Sequence, residues 1–178
     1  PHEWVSSVKR CVADIASNFT TNRMLTDYEN RFYDKLAARK REMSAEAYRM
    51  AREIAAWKRK VSAAWDQVRI VDVQRVKIDK EAVCVGEKYR FSVTVDIANL
   101  RPEDIGVEMV IARQIVGGQG VNVTRTIRLE HARTDNNLVT YALDYTPNEA
   151  GTFDVALRIY PSNPHLPRRM DFALVKWA

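Results

Sequence analysis

Three histidines and two cysteines are the side chains of this chain most suited to nucleophilic catalysis or metal binding. Catalysis by a Ser/His/Asp or Cys/His set requires a base close to its nucleophile. His2 is almost terminal, His131 ends a predicted strand, and His165 lies in a proline-rich loop. We interpret all three as surface histidines and predict that the chain contains no catalytic residue.

The sequence also contains no recognisable pattern of a metal site or a phosphate-binding site. No pair of His, Cys or carboxylate side chains has the spacing of a zinc or EF-hand site. A phosphate-binding glycine loop leads into the N-terminus of a helix, but the glycine-rich segment 117–120 leads into the strand-like residues 121–123. We therefore predict no metal site and no cofactor site, and we interpret this segment as a β-turn or hairpin loop.

Aromatic side chains in the C-terminal part could bind a sugar by stacking on its ring. Trp177 and Tyr160 are the candidates for such a platform, and Tyr145 has a similar sequence context. Both tyrosines lie at strand ends close to a proline, where aromatic side chains commonly pack into a core or a corner. Packing is the favoured interpretation, and a sugar platform at Trp177 and Tyr160 stays open.

Apolar residues at steps of three and four predict three helices in residues 1–67. The first begins near Trp4, and residues 20–22 supply hydrogen-bond acceptors that cap the start of the second. Ser44 is the predicted N-cap of the third helix, residues 44–67, which has the longest apolar stripe.

After residue 67 the apolar residues alternate with polar ones, which is typical of strands with one buried face. Turn-forming residues separate seven such runs. The runs start near Val71, Phe91, Ile105, Val123, Leu138, Phe153 and Phe172. Residues 68–178 therefore predict an all-β antiparallel sandwich of the immunoglobulin-like type. The fold class is α+β by segments, with a three-helix region before the sandwich.

Charge and composition exclude several classes of function. The net charge is +5, but the basic excess lies in the helical part and is interleaved with glutamates, as on a solvated helix face, so we predict no nucleic-acid partner. No run approaches the ~20 apolar residues of a membrane span. Two cysteines without a CxxC spacing favour a reducing cytoplasm. A chain that starts at Pro1 fits a fragment of a longer protein.

Several segments, taken in order, carry a resemblance to a known family. Residues 16–24 read Ala-Ser-Asn-Phe-Thr-Thr-Asn-Arg-Met, and residues 27–33 contain two tyrosines and a phenylalanine. Residues 54–68 contain two tryptophans, and the tail from residue 151 contains Arg-Ile-Tyr-Pro, His-Leu-Pro and a final Trp. In this order they resemble the C-terminal region of the bacterial glycogen/starch (α-glucan) phosphorylases.

The resemblance implies a parent enzyme that uses pyridoxal phosphate. Members of this family use inorganic phosphate to cleave the terminal α-1,4-linkage of a glucan and release glucose 1-phosphate. Their cofactor lysine lies in a Gly-Asn-Met-Lys-like segment that has no counterpart here. The resemblance thus places the cofactor in the parent enzyme and none in this fragment. By the same resemblance, residues 1–42 are similar to the last helices of the catalytic lobe. The helix 44–67 would then connect these helices to the sandwich.

We therefore expect a non-catalytic C-terminal fragment with a structural or interaction role. Its expected partner is the missing catalytic lobe of the same polypeptide, and self-association is expected because the apolar stripes of the first two helices need cover. Two alternatives stay open. One is a glycan-binding module that tethers the parent enzyme to α-glucan, and the other is a protein-interaction domain unrelated to carbohydrate.

Overall fold

The computed structural model describes residues 2–16, 18–76, 84–115 and 120–178. The described residues form an N-terminal helical part followed by two four-stranded antiparallel sheets, so the predicted fold class is confirmed. The chain divides into two compact units, residues 1–53 and 54–178. The end of the last helix therefore belongs to the same unit as the sandwich, whereas the sequence places the division after residue 67.

The helical part has three α-helices, two of which continue into short π-helical segments. They are α1 (His2–Cys11) with the π-helical Val12–Ala16, α2 (Thr21–Tyr28) with the π-helical Glu29–Tyr33, and α3 (Asp34–Ala64). The hydroxyl oxygen of Thr20 accepts a hydrogen bond from the backbone N–H of Arg23 at 3.2 Å and thereby caps α2. The predicted cap in this segment is confirmed.

The helix α3 consists of two helical stretches joined by a break at residues 45–48. Ala45 has an extended ψ of 153°, and Glu46, Ala47 and Tyr48 have φ values of 49°, 51° and 64°. A left-handed conformation costs a non-glycine residue about 1–2 kcal/mol. The break lies close to the predicted start of the third helix. However, Ser44 lies at the end of the first stretch and its hydroxyl donates to the carbonyl of Arg41, whereas the second stretch begins only after Tyr48. Its predicted role as an N-cap is therefore wrong.

The sandwich is built from two sheets in which all neighbouring strands are antiparallel. The first has the order β1 (Arg69–Val76), β2 (Tyr89–Asp96), β6 (Leu138–Tyr145), β5 (Glu130–Asp135). The second has the order β4 (Val121–Arg128), β3 (Ile105–Gln114), β7 (Asp154–Pro161), β8 (Lys176–Trp177). This is the immunoglobulin-type arrangement ABED on CFG with one strand added beside C.

Two parts of the sandwich differ from the sequence prediction. The strand β5 was not predicted, because all six of its residues are exposed and polar or small, without an apolar alternation. The predicted strand 172–177 is wrong for most of its length, since only Lys176 and Trp177 pair with β7. A 3₁₀ turn, Arg169–Phe172, precedes them. In the predicted glycine turn, Gly117, Gly118 and Gln119 lie outside the described residues.

The core of the second unit lies between the two sheets and extends onto the end of α3. Along β2 the buried positions are Tyr89, Phe91, Val93 and Val95, as the alternation predicts. The helix contributes Trp57, Val61 and Ala64 to the same cluster, which is why its C-terminal stretch belongs to this unit.

Polar contacts fix the end of α3 to two short 3₁₀ turns of the sandwich. The indole N–H of Trp57 donates to the carboxylate of Asp104 at 2.8 Å, in the turn Pro102–Asp104. The same ring meets Phe172 edge-on, with centroids 5.5 Å apart. The ammonium of Lys58 donates to the carbonyl of Asp171 at 2.7 Å. These contacts hold the turn Arg169–Phe172 in a fixed place on the second unit.

Candidate functional site

A row of four side chains crosses the outer face of the second sheet. Strand register places Glu108 opposite both Arg128 on β4 and Arg158 on β7, and Arg158 opposite Trp177 on β8. Successive side chains of a strand point to opposite faces. Because Val107, Met109 and Ile159 are core residues, Glu108 and Arg158 lie on the opposite, outer face.

Glu108 is the buried centre of this row, with 4% of its surface exposed. Its Oε1 atom accepts from Nε of Arg158 and from Nη1 of Arg169, which is the first residue of the 3₁₀ turn that follows β7. A buried carboxylate is tolerated when it is paired and hydrogen-bonded. The carboxylate therefore ties the turn to the sheet and fixes two guanidinium groups side by side.

The two aromatic residues predicted as a sugar platform both lie at this site. The guanidinium of Arg158 is 5.3 Å from the ring centroid of Trp177, and that of Arg169 is 5.2 Å from the centroid of Tyr160. Trp177 is 54% exposed, whereas Tyr160 is half-buried. Burial raises the pKa of the Tyr160 phenol, and the charge of Glu108 adds to the increase.

Tyr160 fits against the sheet because its neighbour on β3 is a glycine. A Cβ atom on Gly106 would lie 2.5 Å from Cζ of the Tyr160 ring, so any larger residue here displaces the ring. The register places these two residues directly opposite each other.

Glu108, Arg158, Tyr160 and Arg169 line a cleft of about 880 Å³ between the sheet and the segment that follows β7, which we call the arginine cleft. Trp177 lies beside Arg158 but is not among the described lining residues. The charged residues that line the cleft are one glutamate and four arginines, a net charge of +3; they are Glu108, Arg128, Arg158, Arg168 and Arg169. Arg128 donates to the hydroxyl of Ser162 at 3.3 Å. Among the described residues, neither Arg128 nor Arg168 has an ion pair with a carboxylate. The cleft can therefore attract an anion.

The histidines and cysteines do not converge on this cleft or on another site. His131 lies within β5 and not at a strand end, and its Nε2 shares a hydrogen bond with the Thr134 hydroxyl at 2.7 Å. The backbone N–H of His165 donates to the side chain of Asn163. Cys11 and Cys84 are free and exposed. Within the described ranges, no group of three or more potential ligands could hold a metal ion, and no helix has the length and hydropathy to cross a membrane.

Residues 65–178, more than half of the chain, match the family model of the glycogen phosphorylase C-terminal domain. The chain belongs to this family. The resemblance inferred from the sequence is thus confirmed. All residues that line the cleft fall between Glu108 and Val175, so the cleft lies entirely within the glycogen phosphorylase C-terminal domain.

Curated relatives of the chain are named as maltodextrin phosphorylase and glycogen phosphorylase. It is 28% identical to the maltodextrin phosphorylase of Thermococcus litoralis over 178 residues, which are 98% of this chain and 20% of the relative. It is 26% identical to the glycogen phosphorylase of Mycobacterium tuberculosis over 179 residues, which are 100% of this chain and 20% of the relative. The chain therefore spans about one fifth of the length of the curated relatives it matches.

The charged residues that line the cleft of this glycogen phosphorylase C-terminal domain were not predicted from the sequence. The sequence nevertheless contains a pattern that indicates two of them. Glu108 is the only charged residue in the apolar run 105–112, and Arg158 is the only one in the run 155–161. Charged residues are rarely buried unless they are paired. An isolated glutamate and an isolated arginine in two strands that are otherwise apolar are therefore candidates for a buried ion pair.

Proposed function

We propose that this chain is the non-catalytic C-terminal part of an α-glucan phosphorylase. The parent enzyme uses inorganic phosphate to cleave the terminal α-1,4-linkage of a glucan and releases glucose 1-phosphate. The observation that carries this proposal is the alignment of 98% and 100% of this chain with about one fifth of each of two relatives that are named as phosphorylases. The family model for their C-terminal domain supports the same position in the polypeptide.

The role proposed for the helical unit is to pack against the rest of that polypeptide. None of the residues of α1 or α2 is buried. Large apolar side chains on and between these helices are exposed, among them Trp4 at 72% and Phe19 at 77%. Contiguous exposed apolar surface usually marks an interaction site. We propose that these side chains are covered by the catalytic lobe, which corresponds to the remaining four fifths of the relatives.

The pyridoxal phosphate of the parent enzyme is assigned to that lobe and not to this chain. A lysine amine must form the Schiff base of this cofactor, and none of the described residues that line the arginine cleft is a lysine. The cleft therefore does not fit the cofactor in its bound form, and no step of phosphorolysis is assigned to it.

The test compares the product of the complete gene with the 178-residue chain. Both are incubated with maltoheptaose and inorganic phosphate, and glucose 1-phosphate is measured by a coupled assay. We expect release by the complete product only, together with pyridoxal phosphate absorbance that is missing from the isolated chain. Release of glucose 1-phosphate by the isolated chain, or an inactive complete product that binds no cofactor, contradicts the proposal.

A glycan-binding module is the second candidate function, and the exposed ring of Trp177 favours it. Indole rings stack on sugars, but the guanidinium of Arg158 already lies over this ring. Affinity electrophoresis in amylopectin distinguishes the two functions. Retarded migration that is lost in Trp177→Ala supports glycan binding, and unretarded migration of the unchanged chain opposes it.

A further inference from the structure

The described lining residues of the arginine cleft carry a net charge of +3. The nearby carboxylate of Asp171 accepts from the backbone N–H of Arg168 at 3.1 Å and forms no ion pair with its guanidinium. Glu108 is the only acidic residue among the described residues that line the cleft, and its Oε1 atom is shared by two arginines. Arg128 and Arg168 line the same cleft without a carboxylate partner among the described residues. Four guanidinium groups that line one cleft with a single carboxylate repel one another, and an anion in the cleft relieves this repulsion.

The arginines that flank Glu108 are held in place before any ligand arrives. Arg158 is fixed by the carboxylate and by the ring of Trp177, and Arg169 by the same carboxylate and the ring of Tyr160. Each guanidinium has five N–H donors, and Glu108 uses only Nε of Arg158 and Nη1 of Arg169. Pre-positioned donors lower the entropy lost on binding.

The shape and the remaining lining residues specify the class of anion. The planar fork of arginine matches the oxygens of phosphate in a bidentate arrangement. The cleft volume of about 880 Å³ lies in the range of small-molecule sites. Hydroxyl and amide groups lie beside an apolar wall; the residues are Ser162, Asn163, Leu166, Pro167, Met170 and Leu174. Such a lining offers contacts to an organic group attached to the phosphate.

We propose that this cleft binds the dianion of a small phosphomonoester, with Arg128, Arg158, Arg168 and Arg169 as the phosphate ligands. Glu108 positions two of these arginines and does not itself contact the anion. The site is separate from phosphorolysis, and its test does not depend on the activity of the parent enzyme.

The test is isothermal titration of the 178-residue chain at low, constant ionic strength. The probes are inorganic phosphate, glucose 1-phosphate and glucose. We expect saturable 1:1 binding of glucose 1-phosphate and no binding of glucose. Saturable binding of inorganic phosphate with equal affinity supports a site that recognises the phosphate group alone. Tighter binding of glucose 1-phosphate supports contacts to the organic group as well.

Arg128→Gln is the informative variant, because Arg128 is exposed and its loss leaves the Glu108 cluster intact. Loss of the charge-assisted contact from Arg128 should weaken the Kd of glucose 1-phosphate roughly tenfold. The double variant Arg128→Gln with Arg168→Gln should abolish binding. The matched control is Arg133→Gln on β5, which removes the same charge from the other sheet. No saturable binding of either phosphate probe, or equal weakening by the control, overturns the proposal.

Discussion

Asp104 is a buried residue whose environment favours its charged form. It is 2% exposed and accepts hydrogen bonds from the indole of Trp57 at 2.8 Å and from the backbone N–H of Arg101 at 3.0 Å. The Arg101 guanidinium donates to it as well, at 3.0 Å, and Lys60 lies 3.7 Å away. Burial by itself raises the pKa of this carboxyl, but the hydrogen bonds from Arg101 and Trp57 outweigh that effect and lower it.

The first prediction follows from the sign of this pKa shift. A carboxyl whose folded pKa is lowered stabilises the fold above its unfolded pKa, which is 3.8 for Asp104, and this contribution is lost as the pH falls through the folded value. We expect Asp104→Asn to lower the free energy of unfolding at pH 7 by about 1–3 kcal/mol. Below pH 3.8 the difference from the unchanged chain should shrink.

Urea unfolding followed by tryptophan fluorescence at pH 7 and at several acidic pH values measures this difference. The control is Asp135→Asn, because that carboxylate is 60% exposed in a surface pair with Arg133. A difference between Asp104→Asn and the unchanged chain that is the same at every pH contradicts the assignment.

The end of α3 is attached to the sandwich by the packing of Trp57 against Phe172 and by one buried hydrogen bond from Trp57 to Asp104. Trp57→Phe keeps an aromatic ring beside Phe172 but removes the N–H that donates to Asp104. The Arg101 guanidinium still donates to Asp104 in this variant. The expected cost is therefore that of one hydrogen bond to a charged group, a loss of about 1.5–3 kcal/mol in the free energy of unfolding.

Circular dichroism in urea measures the effect without relying on the tryptophan that is replaced. Trp4→Phe is the matched control, since that side chain is exposed and its replacement should change stability by less than about 0.5 kcal/mol. Equal effects of the two substitutions would show that the hydrogen bond contributes nothing.

Elements with a strong local pattern were predictable from the sequence. The alternation around Phe91, Val93 and Val95 predicts β2, and Thr20 marks the start of α2 with an acceptor side chain. The strand β5 has no such pattern, because it is an edge strand whose side chains are all exposed. Its pairing is determined by β6 and by the turn at Asn136, which has a φ of 54°.

The arginine cleft depends on contacts that no local pattern contains. Trp177 and Tyr160 were recognisable as aromatic candidates, but their position on one face of the second sheet requires the register of β7 with β8, which places Trp177 opposite Arg158. Alternation predicts Glu108 on the outer face of the sheet. Its burial arises because the segment after β7 folds over that face and brings Arg169 to it. Such long-range placement is a property of the folded chain.

The two compact units, residues 1–53 and 54–178, differ in how many apolar side chains they bury. The second unit, residues 54–178, contains the described core cluster, whereas α1 and α2 contain no buried residue. We predict that the 178-residue chain self-associates in solution through its helical unit, and that residues 54–178 fold alone as a monomer.

Light scattering coupled to size exclusion, over a range of concentrations, gives the mass of each species. Phe19→Ser with Trp4→Ser removes two of the most exposed rings and should shift the chain toward the monomer. Val85→Ser, which replaces an exposed apolar residue of the second unit, is the control. Self-association of residues 54–178 to the same extent as the full chain contradicts the prediction.

The contacts of α3 with the two 3₁₀ turns also bear on the order of folding. The partner of Trp57 lies 47 residues later in the chain, and the partner of Lys58 lies 113 residues later. Closing such long loops is slow compared with forming a helix. The docking surface of this helix therefore exists only after the strands on either side of both turns have assembled. We expect the indole of Trp57, close to the start of this unit, to become buried late in folding, so that its fluorescence reports the docking of the helix.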